Sequence, residues 1–168
     1  LRHARGALRA FRAALDQPPV IDPVGMIDVI PTVNMWESLT GVGGCFAFHL
    51  YLLAQPTELP ERMIKADPDA FFRYFFDAWV ADPTTIPADV RAAYLAAMRT
   101  PEASHAISED YRASAFIDNH PDERDREAGR RTTLPALAIR QSPGHMSPPS
   151  GPEPLWPGWA RVLRRRCP

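Results

Sequence analysis

Four side chains in this chain are of types that do chemistry and stand where chemistry is done. Asp28 lies near the end of a short apolar run, Val24-Gly25-Met26-Ile27-Asp28-Val29-Ile30. Open α/β sheets place functional groups at the C-terminal ends of their strands, so a carboxylate here can orient a base; it can also cap the helix that follows. Arg5 can pair with a substrate carboxylate or serve as helix surface charge. His49 shares a helical face with Phe46, Leu50 and Leu53. A lone histidine on an apolar face is ordinarily a satisfied core residue. Tyr111 reads in the same way as a packed tyrosine bonding through its hydroxyl. His105 and His120 read as surface or capping residues. Gly41-Val42-Gly43-Gly44 is too short and misplaced for a phosphate loop. Cys45 and Cys167 make neither a disulfide framework nor a zinc set.

The elements that must position these groups follow from periodicity. Ala7, Leu8, Ala10, Phe11, Ala14 and Leu15 recur at helical spacing, which predicts a helix over 5–16, stopped by Pro18-Pro19. The run 24–30, closed by Pro31, predicts a buried strand. Residues 33–131 hold a series of helical patterns instead: 46–53, 60–65, 67–80 with Asp67 as N-cap and Pro68 at the first position, 87–98 and 101–117. Residues 121–131 read as a polar turn or short helix. Leu134–Ile139 predicts a second strand. Seven of the 19 prolines fall in 141–168, and that density makes 141–154 a loop. Leu155, Trp156, Trp159 and Val162 then suggest one last amphipathic helix. The aromatic group Phe71, Phe72, Tyr74, Phe75, Phe76 and Trp79 has little basic charge beside it. It reads as helical core and pocket wall, not as a nucleic-acid stacking face.

Composition narrows the function classes. The chain has 168 residues with 45% apolar and 23% charged residues, enough for one ordinary domain and unlike a charged disordered chain. The net charge of −1 argues against a nucleic-acid partner, which calls for strong basicity. No apolar run reaches the ~18 residues of a membrane span, and Leu1-Arg2-His3-Ala4-Arg5 leads into no signal-peptide core. These features lead us to expect a cytoplasmic protein without membrane, nucleic-acid, metal or cofactor partners. Arg164–Arg166 reads as a solvated charge run.

Several segments together resemble the fluoroacetate (haloacetate) dehalogenases of the α/β-hydrolase superfamily. They are Leu52-Leu53-Ala54-Gln55-Pro56 with Leu59-Pro60-Glu61, Glu109-Asp110-Tyr111-Arg112-Ala113, Ile27-Asp28-Val29-Ile30-Pro31-Thr32 and Trp156-Pro157-Gly158-Trp159-Ala160. In order they cover most of 3–139 and, after a disturbed gap, 155–163. The family's nucleophile motif, His-Asp-Arg-Gly-Ala-Arg, is matched by His3-Ala4-Arg5-Gly6-Ala7-Leu8. The resemblance implies that the chain opens at the nucleophile elbow, with part of the sheet lying before it. It also implies a disturbance, of the kind a reading-frame shift makes, over about 140–152.

The resemblance assigns roles to five positions. Ala4 stands where the family has its nucleophilic aspartate, and alanine offers no oxygen to attack with. Arg5 keeps one arm of a two-arginine carboxylate clamp, while Leu8 replaces the other. Asp28 matches the acid that orients the catalytic histidine. His49 and Tyr111 match donors that hold the departing halide, and Leu50 stands where the family has a tryptophan. The base histidine should follow the last core strand. His145, in Gly144-His145-Met146, comes before the Trp156–Ala160 segment and so is out of order.

The fold expected is therefore α/β, a partial α/β-hydrolase fold that is mostly helical in this chain. A partial core over 1–32 is followed by a helical cap over 33–131, and a strand, Pro-rich loop and terminal helix over 132–168. The function expected is that of a fragment or degenerate homologue of a hydrolase cleaving carbon–halogen bonds of small 2-haloacids, inactive alone. A non-catalytic cap module for interaction and a relative of epoxide hydrolases are the alternatives. Open strand edges lead us to expect a homodimer or aggregation.

Overall fold

The computed structural model describes residues 1–21, 23–139 and 156–164. The Pro-rich stretch 141–154, His145 and Cys167 lie outside them. The chain forms two compact units, Leu1–Phe46 with Asp118–Pro168, and Ala47–Ile117.

The first unit is a parallel sheet with its helices. Strands β1 (Arg2–His3), β2 (Val24–Ile27), β3 (Thr132–Ile139) and β4 (Ala160–Arg164) pair in that order, all parallel. Helix α1 (Ala4–Asp16) connects the first two and buries Ala7, Leu8, Phe11, Ala14 and Leu15, the stripe its spacing predicts. Phe11, 2% exposed, meets Trp156 and Trp159 edge-on at centroid distances of 5.0 and 6.0 Å. The two indoles are satisfied: Trp156 donates to the Val29 carbonyl at 2.9 Å and Trp159 to Asn34 Oδ1 at 3.2 Å. Two short helices follow β2, α2 (Thr32–Ser38) and α3 (Val42–Phe46). Helix α9 (Asn119–Glu127) ties back to α1, because Arg12 reaches Asp122 at 3.3 Å and Asp125 at 2.6 Å. Beyond it, Arg130 donates to the Leu15 carbonyl at 2.6 Å, covering an open carbonyl at the end of α1. Burial raises the pKa of Asp122 above the ordinary carboxylate range, working against the Arg12 charge.

Two expectations are corrected here. The segment after 155 is not an amphipathic helix. A single tight turn, Trp156–Gly158, leads straight into β4. The three-residue spacing of the tryptophans looks helical, but it arises because that turn folds both rings onto Phe11. The chain then extends along the open edge of β3, where Thr132 N–H donates to the Trp159 carbonyl at 3.0 Å. Among the described residues the sheet has four strands, two more than the apolar runs predict, because β1 is only two residues long and β4 carries a helix-like spacing.

The second unit is helical: α4 (Phe48–Leu53), α5 (Leu59–Ala66), α6 (Pro68–Ala78), α7 (Ala88–Met98) and α8 (Pro101–Ala113). Asp67 caps α6 by accepting from Ala70 N–H at 2.9 Å, and Thr100 caps α8 by accepting from Ala103 N–H at 3.1 Å. In both cases proline takes the next position, where no N–H is needed. The helix expected over 101–117 changes at Ser114–Asp118 into a wider π turn. The aromatic rings of α6 are less buried than a core would make them: Tyr74 and Trp79 are each 48% exposed. Among the described residues no helix is long and apolar enough to cross a membrane.

Candidate active site

In the sheet unit the candidate groups gather at the C-terminal ends of neighbouring strands. His3 pairs with Ile27, and Ile27 with Ile139. Ala4 and Asp28 therefore leave the sheet at the same level on adjacent strands, which lie about 4.8 Å apart. Both turn sharply, with φ of +47° at Ala4 and +52° at Asp28. That left-handed conformation is uncommon for residues other than glycine and marks strained, often functional turns. The Asp28 turn is fixed from two sides: its own N–H donates to the Ile139 carbonyl at 2.8 Å, and Trp156 holds the next carbonyl, Val29. The Asp28 side chain is exposed.

Arg5 opens α1 beside Ala4. Its Nη2 donates to Asp118 Oδ2 at 2.8 Å. The guanidinium proposed for a substrate carboxylate thus already holds a carboxylate of its own chain, and its five N–H groups leave room for a second acceptor. Leu8, at the position of the second arginine, is 6% exposed and packed in the sheet unit's core. It can offer nothing to a carboxylate.

In the helical unit His49 and Tyr111 come together, their ring centroids 5.8 Å apart and nearly perpendicular. His49 is 5% exposed and ringed by Phe48, Phe75 and Trp79 at 6.0, 5.2 and 5.0 Å. Burial pushes its pKa down to about 4, so the imidazole is neutral at pH 7 and carries one N–H and one lone pair. Its Nδ1 is buried with no partner among the described residues. A buried neutral imidazole beside a phenol can offer donors to a small anion, and low local polarity strengthens each bond so made. Leu50, 6% exposed, adds no donor.

The motifs quoted for the resemblance hold this pair in place. Arg112, next to Tyr111, donates to the Gln55 carbonyl at 2.9 Å and also binds Glu61 and Glu109. One guanidinium therefore locks the end of α4, the face of α5 and α8. Trp79 was missed as a site candidate. The signal for it is the i, i+4, i+8 stripe Phe71, Phe75, Trp79, whose consecutive rings meet at 5.2 and 4.8 Å and lead to His49.

No protein-family model matches the chain. A fluoroacetate dehalogenase from Burkholderia sp. is 35% identical over 150 residues, which span 86% of this chain and 47% of that protein. Among solved structures, a Pseudomonas aeruginosa protein provisionally described as an epoxide hydrolase, in a Q244E mutant, superposes with a TM-score of 0.86 at 34% identity. It covers 99% of this chain and 56% of that one. A protein of Nostoc sp PCC 7120, provisionally described as an α/β hydrolase, gives 0.84 at 29% identity, over 99% and 57%. The chain belongs to the α/β-hydrolase superfamily. It spans about half the length of the relatives it matches. In an α/β hydrolase the nucleophile sits on a strained strand-to-helix turn. In this α/β hydrolase β1, Ala4 and α1 make such a turn, with alanine at the strained position. His145, outside the described residues, precedes β4 in the sequence.

Proposed function

We propose that this α/β hydrolase is built for the carbon–halogen bonds of small 2-haloacids, that it keeps the side of the site that receives the halide, and that it has lost the covalent step at Ala4. In the reaction of the family it resembles, a carboxylate oxygen attacks the carbon bearing the halogen. The halide leaves with the bonding electrons, and a histidine-activated water hydrolyses the resulting ester. At the elbow Ala4 has no oxygen to attack with. A neighbouring group cannot stand in, because the attacking atom must lie about 3–3.5 Å from the carbon and in line with the leaving group. Asp28, at the level of Ala4, remains in position to orient a base, and Arg5 to share a carboxylate.

The observation that carries this reading is the contact between neutral His49 and Tyr111. A departing halide needs N–H and O–H donors in a dry enclosure, and loss of one such donor costs roughly 10²-fold in rate. The Leu50 position lacks the family's tryptophan, while Trp79 brings an indole to His49 from another helix. Epoxide opening leans on cap tyrosines alone and leaves the buried His49 without a role.

Bromide titration followed by NMR at the His49 and Tyr111 rings tests the reading. Saturable shifts, lost in His49→Phe, are expected. Rings that fail to respond, or respond equally in His49→Phe, would remove both residues from the site.

A further inference from the structure

The two donors of the halide site stand on different helices, His49 on α4 and Tyr111 on α8. The distance between their rings therefore depends on what joins those helices. Gln55, two residues past the end of α4, is tied to its last turn twice. Its N–H donates to the Leu52 carbonyl at 3.1 Å and its side-chain amide to the Tyr51 carbonyl at 2.8 Å. The Gln55 carbonyl accepts in turn from Arg112 Nη1 at 2.9 Å, and Arg112 is the residue next to Tyr111. A path of directed bonds thus runs from the helix of one ring to the backbone of the other.

The Arg112 side chain is 11% exposed and uses every guanidinium nitrogen. Besides the bond to Gln55, Nε donates to Glu109 Oε1 at 3.0 Å and Nη2 to Glu61 Oε1. Glu61 brings in α5 as a third support. Its Oε2 is buried and has no partner among the described residues, while Arg112 and His105 hold the carboxylate by Oε1. An unmet buried oxygen costs stability and calls for a reason; here the reason is the fork that Glu61 completes.

We propose that Arg112 is a positioning residue for halide binding: its planar fork, which does not itself reach the anion, fixes the spacing of the His49 and Tyr111 rings and so the affinity of the pair. The inference rests on the halide reading above. Such support matters because a site held too loosely loses its directed bonds. Lysine keeps the charge but gathers its donors at one point, so it cannot serve Gln55, Glu61 and Glu109 together.

The full chain is compared with Arg112→Lys, Glu61→Gln and Leu95→Val by NMR. Two quantities are read: the ring-to-ring NOE between His49 and Tyr111 without ligand, and the dissociation constant for bromide. Arg112→Lys should lose at least half of the NOE and bind bromide at least fivefold more weakly. Glu61→Gln, which removes only the charge on α5, should move both in the same direction, about twofold. Leu95→Val thins the core of the same unit at a residue 2% exposed. It should lower Tm and leave both quantities unchanged, which separates positioning from general destabilisation. Should Arg112→Lys fail to fold, Glu61→Gln decides alone. An NOE and an affinity kept in Arg112→Lys, or lost equally in Leu95→Val, would overturn the proposal. Parent rings that ignore bromide, with the NOE still lost in Arg112→Lys, would sink the halide reading and leave the spacing role standing.

Discussion

Replacing Ala4 tests whether the elbow is truly held in its left-handed turn. With φ at +47°, the alanine Cβ crowds the neighbouring carbonyl at a cost of about 1–2 kcal/mol. Glycine removes that cost but brings back roughly 0.5–1 kcal/mol of backbone entropy. Ala4→Gly should therefore leave stability within about 0.5 kcal/mol of the parent, or slightly raise it. Valine, branched at Cβ, is a clear outlier in this region, so Ala4→Val should lose a further ~1–2 kcal/mol. Asparagine and aspartate tolerate the conformation best after glycine, so Ala4→Asp should be at least as stable as the parent. In an ordinary helical turn the order would reverse: glycine would cost about 1 kcal/mol against alanine and valine about half that. Urea unfolding followed by circular dichroism at 222 nm measures all four proteins. A glycine variant less stable than the valine variant would refute the strained elbow.

Three further outcomes follow from the same structure. The folded pKa of His49 is near 4, below the unfolded value of 6.5, so the unfolded chain binds more protons between those limits. Stability contributed by neutral His49 is present above pH 6.5 and is lost as pH falls towards 4, by at most about 3 kcal/mol; paired melts at pH 4.5 and 7.5 should show a loss that shrinks in His49→Phe. Arg12→Met removes the ion pair of Asp122, 7% exposed, and one of the two at Asp125, 14% exposed, which keeps Arg130, and should cost about 2–3 kcal/mol at pH 7. Adding Asp122→Asn should recover part of it, and the deficit should narrow on acidification, because the raised pKa of Asp122 favours its protonated form in the folded state. Finally, among the described residues β1 has a strand partner on one side only, so we expect self-association through that edge; a single monomeric species in sedimentation velocity would contradict this.

How far the fold could be read from the residues depended on how local the deciding forces are. Helix α1 and the Asp67-Pro68 start of α6 are written in neighbouring side chains, and both stand as read. Strand β1 exists only because Arg2 and His3 pair with Met26 and Ile27, more than twenty residues away. β4 is set by the open edge of β3, which overrides a helix-like spacing. The site divides in the same way. The motifs around His49 and Tyr111 were legible, and the two rings do meet. Trp79 was not, since its approach to His49 depends on how α6 packs on α4. The partner of Arg5, Asp118, lies 113 residues along the chain, and no periodicity points to it.

The central claim is that the chain keeps halide donors of a dehalogenase-type site at His49 and Tyr111, while its elbow, with Ala4, cannot attack carbon. Halide release from bromoacetate and fluoroacetate, followed with ion-selective electrodes, tests it most directly. The purified chain should release neither ion above a protein-free blank, because Ala4 supplies no oxygen to attack the carbon. Steady turnover by the unmodified chain, clearly above the blank and proportional to protein, would contradict the account.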